Sequence, residues 1–242
     1  MSLPLGCSGR LGSKDLERGG SDDLFRKRKA RKNAELERQK KERSQIKRYL
    51  IVCEGTKTEP FYLKDLTDDL GIRPSSVRIA QNDGPSPDRV VAHGMTLYEE
   101  DAKTGDSFDQ VFCVFDRDKH STYADAVQRV RDCAAAGKPF HAVTSVPCFE
   151  YWLLLHFGYT DHPFDAAGRK SACDNLIAVL RTKPGFKDYG KGKLGIYAVV
   201  KDKTSTAMKA AAKSLANVEK TGQDNPSTRI HELVEALRLL GK

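Results

Sequence analysis

The sequence predicts an α/β fold with a mostly parallel central sheet and helices on both faces, and three observations carry that expectation. Residues 49–53 (Tyr-Leu-Ile-Val-Cys) and 110–115 (Gln-Val-Phe-Cys-Val-Phe) are short, almost wholly apolar runs of the kind found in strands buried on both sides. Helix-periodic segments alternate with such runs, which is the signature of successive strand–helix–strand units. A chain of 242 residues with 39% hydrophobic content suits one elaborated core better than two complete ones.

Taken in order, strand 49–53 leads through a tight loop to Thr58, read as a helix N-cap, with Pro60 in the first turn. Phe61, Leu63, Leu66 and Leu70 supply an apolar helix face that ends at Gly71. A second strand is expected at 77–80, then a turn cluster through Gly84 and Pro85 and a helix over 87–103. Strand 110–115 stops at Asp116-Arg117-Asp118, a helix follows over 123–136 with Gly137 past its end, and 140–144 reads as another strand. Residues 147–157 form a strongly apolar helix carrying Glu150, and helical segments near 166–182, 203–220 and 227–240 complete the chain. The domain organisation follows: a disordered lead at 1–24, a basic arm at 25–48 that is a solvated helix or a flexible strap, an α/β core at 49–160, and C-terminal helical additions at 161–242 packed on that core. No internal repeat is visible.

Charge is unevenly placed. The chain carries a net +8, yet residues 26–48 alone hold twelve Lys or Arg against Glu35, Glu37 and Glu42, so the remainder is near neutral. Arg26, Lys27, Arg28, Lys29, Arg31 and Lys32 are the densest part of this run. It has too few apolar residues to bury a helix face, and two readings stand for it: a solubilising tail, or an arm that binds the phosphates of a polyanion. No apolar run approaches the roughly 20 residues of a spanning helix, which predicts a cytoplasmic protein with no membrane partner. The six cysteines show no CxxC pair and are expected to be structural thiols of a reducing compartment.

In open parallel sheets functional groups collect at the carboxyl ends of strands, and two such ends here are acidic. Glu54 follows the first strand, with Gly55 permitting a close turn, and Asp116 and Asp118 follow the 110–115 strand at period-two spacing. If the two strands are neighbours, three carboxylates converge. Such a cluster needs a cation or a bound proton, and Mg2+ (or Mn2+) is the natural occupant because it takes hard oxygen ligands and shares its other positions with water and phosphate. Asp after a strand is also a common turn former, so spacing alone leaves both readings open. Glu59 and Glu150 each stand between a site role and simple placement at a helix start. Lys57, and Lys191 and Lys193 within a Gly-Lys loop at 187–203, are candidates for phosphate contact or for ordinary solvation. His120 is the histidine closest in sequence to the acidic loop, whereas His156, among apolar neighbours, reads as a core histidine. Trp152, Leu153, Leu155 and Phe157 read as core rather than as a base-stacking platform. No P-loop is present.

Four blocks, 50–60 (LIVCEGTKTEP), 114–118 (VFDRD), 145–157 (SVPCFEYWLLLHF) and 225–234 (NPSTRIHELV), together resemble the RloB-like family, named for restriction-linked reading frames. The resemblance spans from about residue 25 to the C-terminus and implies a TOPRIM-like core at 49–160. On that likeness Glu54 is a general acid or base and a metal ligand, Asp116 and Asp118 are metal ligands, and Glu150 is a fourth catalytic carboxylate. It implies a Mg2+-dependent nuclease cleaving RNA, tRNA among the candidates, or DNA, in phage defence by abortive infection. An ATPase partner of AAA or ABC type encoded nearby belongs to the same expectation. No topoisomerase tyrosine domain or primase zinc module is recognisable, which argues against those two activities. The rival is a non-catalytic subunit that keeps the fold and binds nucleic acid or the ATPase.

Overall fold

The computed structural model describes residues 24–35, 38, 46–82, 84, 86–117 and 120–242. The chain divides into two units, Met1–Ile46 and Lys47–Lys242, each described by itself. Within the first, residues 24–35 are helical and exposed throughout, and Arg26, Lys27, Arg28, Lys29, Arg31 and Lys32 all lie on this helix. Arg38 pairs with Glu35 at 3.1 Å, one exposed ion pair of the sort that contributes little to stability.

The second unit is built on a five-stranded sheet in the order β2-β1-β3-β4-β5. The strands β1 (Tyr49–Cys53), β2 (Val77–Gln81), β3 (Gln110–Asp116) and β4 (Phe140–Val146) run parallel. A two-residue β5 (Ser227–Thr228) closes the edge antiparallel to β4. The period of two along β1 explains its unbroken apolarity: Tyr49, Ile51 and Cys53 enter one core, Leu50 and Val52 the other. The second core is covered by Val90, Val91 and Leu97 of helix α2 (Pro87–Lys103) and by Ala126, Val130 and Cys133 of α3 (Tyr123–Ala135). Against the first core pack α1 (Thr58–Asp69), α4 (Glu150–Leu155), α5 (Ala172–Leu180), α6 (Ile196–Val200), α7 (Thr204–Thr221) and α8 (Ile230–Leu240). Helices therefore lie on both faces of a mostly parallel sheet. Trp152, Leu153 and Leu155 are fully buried in that core, where each side chain contributes on the order of 1.5–3 kcal/mol, and Phe157 packs at its margin.

Several boundaries differ from the sequence expectation for local physical reasons. Thr58 does not cap α1: Lys57 stands at the cap position, and the Thr58 hydroxyl instead accepts the Gly192 backbone N–H at 2.9 Å. The apolar segment 147–157 is helical only over Glu150–Leu155, because both ends tighten into three-residue hydrogen bonds such as Tyr151 N–H to Cys148 O and His156 N–H to Leu153 O. Helix α5 begins late, at a capping box in which Ser171 and Asp174 satisfy each other's backbone N–H. Ser227 and Thr228 are drawn out of the last helix by pairing with β4, where the Ser145 and Thr228 hydroxyls meet at 3.0 Å. The thiol expectation is corrected for two of the cysteines: Cys148 and Cys173, 25 residues apart, are joined in a disulfide, while Cys53, Cys113 and Cys133 are free and buried. Cys7 lies outside the described residues. Among the described residues no helix is long and apolar enough to cross a membrane.

Helix α2 approaches the sheet at Gly94, where a β-carbon would stand 3.4 Å from Cys113 Sγ and 3.6 Å from Phe140 and Val52. Gly94→Leu should cost about 1–3 kcal/mol by overpacking, whereas Gly94→Ala, which fills ordinary contact space and gains helix propensity, should be close to neutral or stabilising. Urea denaturation of the three proteins measures this; equal midpoints for Gly94→Leu and the parent would contradict the close packing.

Candidate metal and nucleic-acid site

The parallel pairing of β1 with β3 aligns Cys53 with Val114, so the residues after both strands emerge at one edge of the sheet. Glu54 extends the ladder by one bond, its N–H reaching Val114 O at 2.9 Å. Its carboxylate is held from two sides. The Asp116 backbone N–H donates to Oε2 at 3.0 Å, and His120 Nε2 lies 3.1 Å from Oε1. Asp116 is the last residue of β3, half-buried beside Glu54. Asp118 lies outside the described residues.

Glu59 and Glu150 complete the acidic group. The Glu59 carboxylate folds back over Gly55, into the space that a β-carbon at position 55 would take, so a side chain there would displace the carboxylate. Glu150, the first residue of α4, is fully buried. Its Oε1 accepts the Tyr189 hydroxyl at 2.9 Å, and Lys191 Nζ lies 3.8 Å from Oε2. A pocket of about 200 Å3 opens here, lined by Gly55, Thr56, Lys57, Thr58, Glu59, Glu150 and Lys191. Gly192, at φ +85°, lets the loop lie against the Lys57 stem, since a β-carbon there would come within 2.8 Å of Cδ. Lys193, exposed on the same loop, does not line the pocket.

Burial, reinforced by the crowding of like charges, sets the electrostatics. Burial raises the Glu59 carboxyl from 4.5 to about 7, with the charges of Glu150 and Glu54 adding and Lys191 opposing. Burial likewise lifts Asp116 well above the carboxylate range, reinforced by Glu59, Glu150 and Glu54. His156 is excluded from this chemistry: it is buried against Trp152, its Nδ1 meets Trp152 O at 3.0 Å, and burial lowers it to about 4, so it is a neutral core residue.

By donor type the group fits a hard divalent cation, because Glu54, Glu59, Asp116 and Glu150 offer carboxylate oxygens and Mg2+ needs only one or two of them with water completing its shell. Glu59 and Glu150 line the pocket, whereas Glu54 and Asp116 do not. Among the described residues the set of three His, Cys, Asp or Glu ligand atoms lying within 4.8 Å of one another is Cys148, Glu150 and Cys173, and that set contains the disulfide.

The RloB-like protein family matches residues 49–237, more than three quarters of the chain and the whole span from β1 into α8. The chain belongs to the RloB-like family. No curated protein and no solved structure matches it.

In this RloB-like chain the structure brings Glu54, Glu59, Asp116, Glu150, Lys57, Lys191 and His120 to one edge of the sheet. It adds Tyr189, which sequence reasoning misses; the sole signal is an aromatic residue inside a Gly-Lys loop. It also adds Thr58, whose hydroxyl anchors that loop.

A carboxyl raised in the folded state binds a proton that the unfolded chain has already released, so it lowers stability as pH rises from about 4.5 to about 7 and adds nothing further above that. With divalent ions chelated, Glu59→Gln should flatten this decline and gain on the order of 1–3 kcal/mol at about pH 8, with little change near pH 5. Denaturant unfolding across that range reads the difference. An unchanged pH slope in Glu59→Gln would contradict the placement of Glu59 among the other carboxylates.

Proposed function

We propose that this RloB-like chain is a Mg2+-dependent nuclease of TOPRIM type that cleaves phosphodiester bonds in RNA or DNA, acting in phage defence beside an ATPase partner. The observation that supports it best is the gathering of Glu54 and Asp116, at the carboxyl ends of the adjacent parallel strands β1 and β3, with Glu59 of α1 and Glu150 of the helix that follows β4, beside Lys57 and Lys191. Bound Mg2+ would neutralise charge on the scissile phosphate and lower the pKa of a water. Asp116, with Asp118, is assigned as metal ligand. Glu54 is oriented by the Asp116 N–H and by His120, so its carboxylate has a fixed direction in which to take or give a proton. Glu59, its carboxyl raised by burial to about 7, suits the opposite proton transfer at the leaving oxygen. Lys57 and Lys191 would contact flanking phosphates, and the basic helix at 24–35 would add sequence-independent affinity.

The second reading, a non-catalytic subunit of the same fold that binds nucleic acid or the ATPase, is favoured by one observation: the described carboxylates do not close on a common point.

The test incubates the purified chain with tRNA, single-stranded RNA and duplex DNA in Mg2+ or Mn2+, with and without an ATPase encoded beside it. Cleavage should require the ion and fall about 100-fold or more in Asp116→Ala. Retained cleavage in the Glu54→Ala, Asp116→Ala double variant would defeat the nuclease reading. Salt-sensitive binding without turnover under any divalent ion would establish the second. Deleting residues 25–46, which leaves Arg48 on Asp101 and Asp109, should weaken binding and reduce its salt slope by roughly 0.7–0.9 for each phosphate the arm neutralises.

A further inference from the structure

Beside the carboxylate pocket lies a second ligand set of different chemistry. Cys148 Sγ, Cys173 Sγ and a Glu150 oxygen all lie within 4.8 Å of one another, and all three residues are buried. Two of them, Cys148 and Glu150, are two positions apart in the turn from β4 into α4, and the third stands in the first turn of α5 behind the Ser171–Asp174 capping box. The ligands therefore come from two firmly placed segments.

In the disulfide state this arrangement leaves Glu150 poorly served. Cys173 Sγ is 3.4 Å from Glu150 Oε2, but a bonded sulfur carries no proton and cannot donate. Oε1 has the Tyr189 hydroxyl; Lys191 Nζ, at 3.8 Å from Oε2, is beyond hydrogen-bond length. A fully buried carboxylate oxygen thus faces a pair of sulfurs with which it makes no hydrogen bond.

We infer that Cys148, Glu150 and Cys173 are a redox-gated zinc site, closed to metal as the disulfide and able to bind Zn2+ as the dithiol. Two thiolates and one carboxylate are a zinc ligand set, with sulfur at about 2.3 Å and oxygen at about 2.0–2.2 Å, and the soft sulfurs favour Zn2+ over Mg2+. Solvent from the pocket that Glu150 lines supplies the fourth position. Three anionic ligands around a dication leave one negative charge, which the Lys191 ammonium offsets. A dithiol reductant gives two electrons and two protons to the Cys148–Cys173 bond and becomes a disulfide itself; Zn2+ then displaces both thiol protons to solvent as two Zn–S bonds form. Occupancy would withdraw Glu150 from the carboxylate pocket. Zinc binding itself does not depend on the nuclease reading.

The full chain is reduced with a phosphine and titrated with Zn2+ against a chromophoric chelator, and in parallel with Co2+, whose thiolate charge-transfer absorption reports sulfur ligation directly. The reduced chain should take up about one equivalent of Zn2+ and show the Co2+ band, and the oxidised chain should show neither. Glu150→Gln should weaken zinc binding about tenfold or more, and the Cys148→Ser, Cys173→Ser double variant should abolish it. The oxidised-against-reduced comparison uses the unaltered chain, so it stands even if a variant misfolds. Absence of zinc uptake by the reduced chain, or equal uptake by the oxidised chain or the double cysteine variant, overturns the inference.

Discussion

Burial of Glu59 and Asp116 at one edge of the sheet, among the like charges of Glu54 and Glu150, is the constraint around which the candidate site is arranged. Four carboxyl groups sunk at one edge of a sheet cannot all ionise without compensation, and the fold answers with a raised affinity for protons at Glu59 and Asp116 and with a cation at Lys191. Other partners are the Asp116 N–H and His120 on Glu54 and the Tyr189 hydroxyl on Glu150. Such an arrangement is costly for stability, and crowding that favours a proton favours a divalent ion as well.

The C-terminal additions matter because they complete this site. The loop before α6 brings Tyr189 and Lys191 to Glu150, and it is tied down by the Gly192 N–H on the Thr58 hydroxyl, more than 130 residues away in sequence. Further on, Tyr197 donates to Asp69 at 2.9 Å and Lys201 pairs with it at 3.1 Å, fastening α6 and the 3-10 turn after it to the end of α1. The strand-end acids and the loop that neutralises them therefore belong to one packed unit. Glu150 lies between this pocket and the disulfide, its Oε2 3.4 Å from Cys173 Sγ.

Much of this is legible in the residues. The apolar runs of β1 and β3 announce two-sided burial, and their strand-end acids are brought together because the strands are neighbours. The helix expected from about Pro87 to Lys103 is found there, since Pro87 suits its first turn and an amphipathic period runs along it. The character of Glu59 is not readable, because it depends on the carboxylate folding onto Gly55, an approach no spacing rule encodes. Tyr189 and the Thr58–Gly192 bond depend on long-range packing. The short α6 is hidden in a segment whose glycines and lysines suggest a loop, although Ile196, Tyr197 and Val200 have the spacing of a buried turn. The Cys148–Cys173 bond joins residues with no motif spacing and follows only from the approach of α5 to α4.

A cluster that holds protons against its own repulsion should exchange them for a divalent cation. Isothermal titration of Mn2+ into the chain near pH 6.5, in buffers of different ionisation enthalpy, counts the protons released on binding. Binding should release roughly one proton or more per ion, declining at higher pH as Glu59 loses its proton beforehand. Absence of binding, or binding with no proton release at any pH, would contradict the exchange.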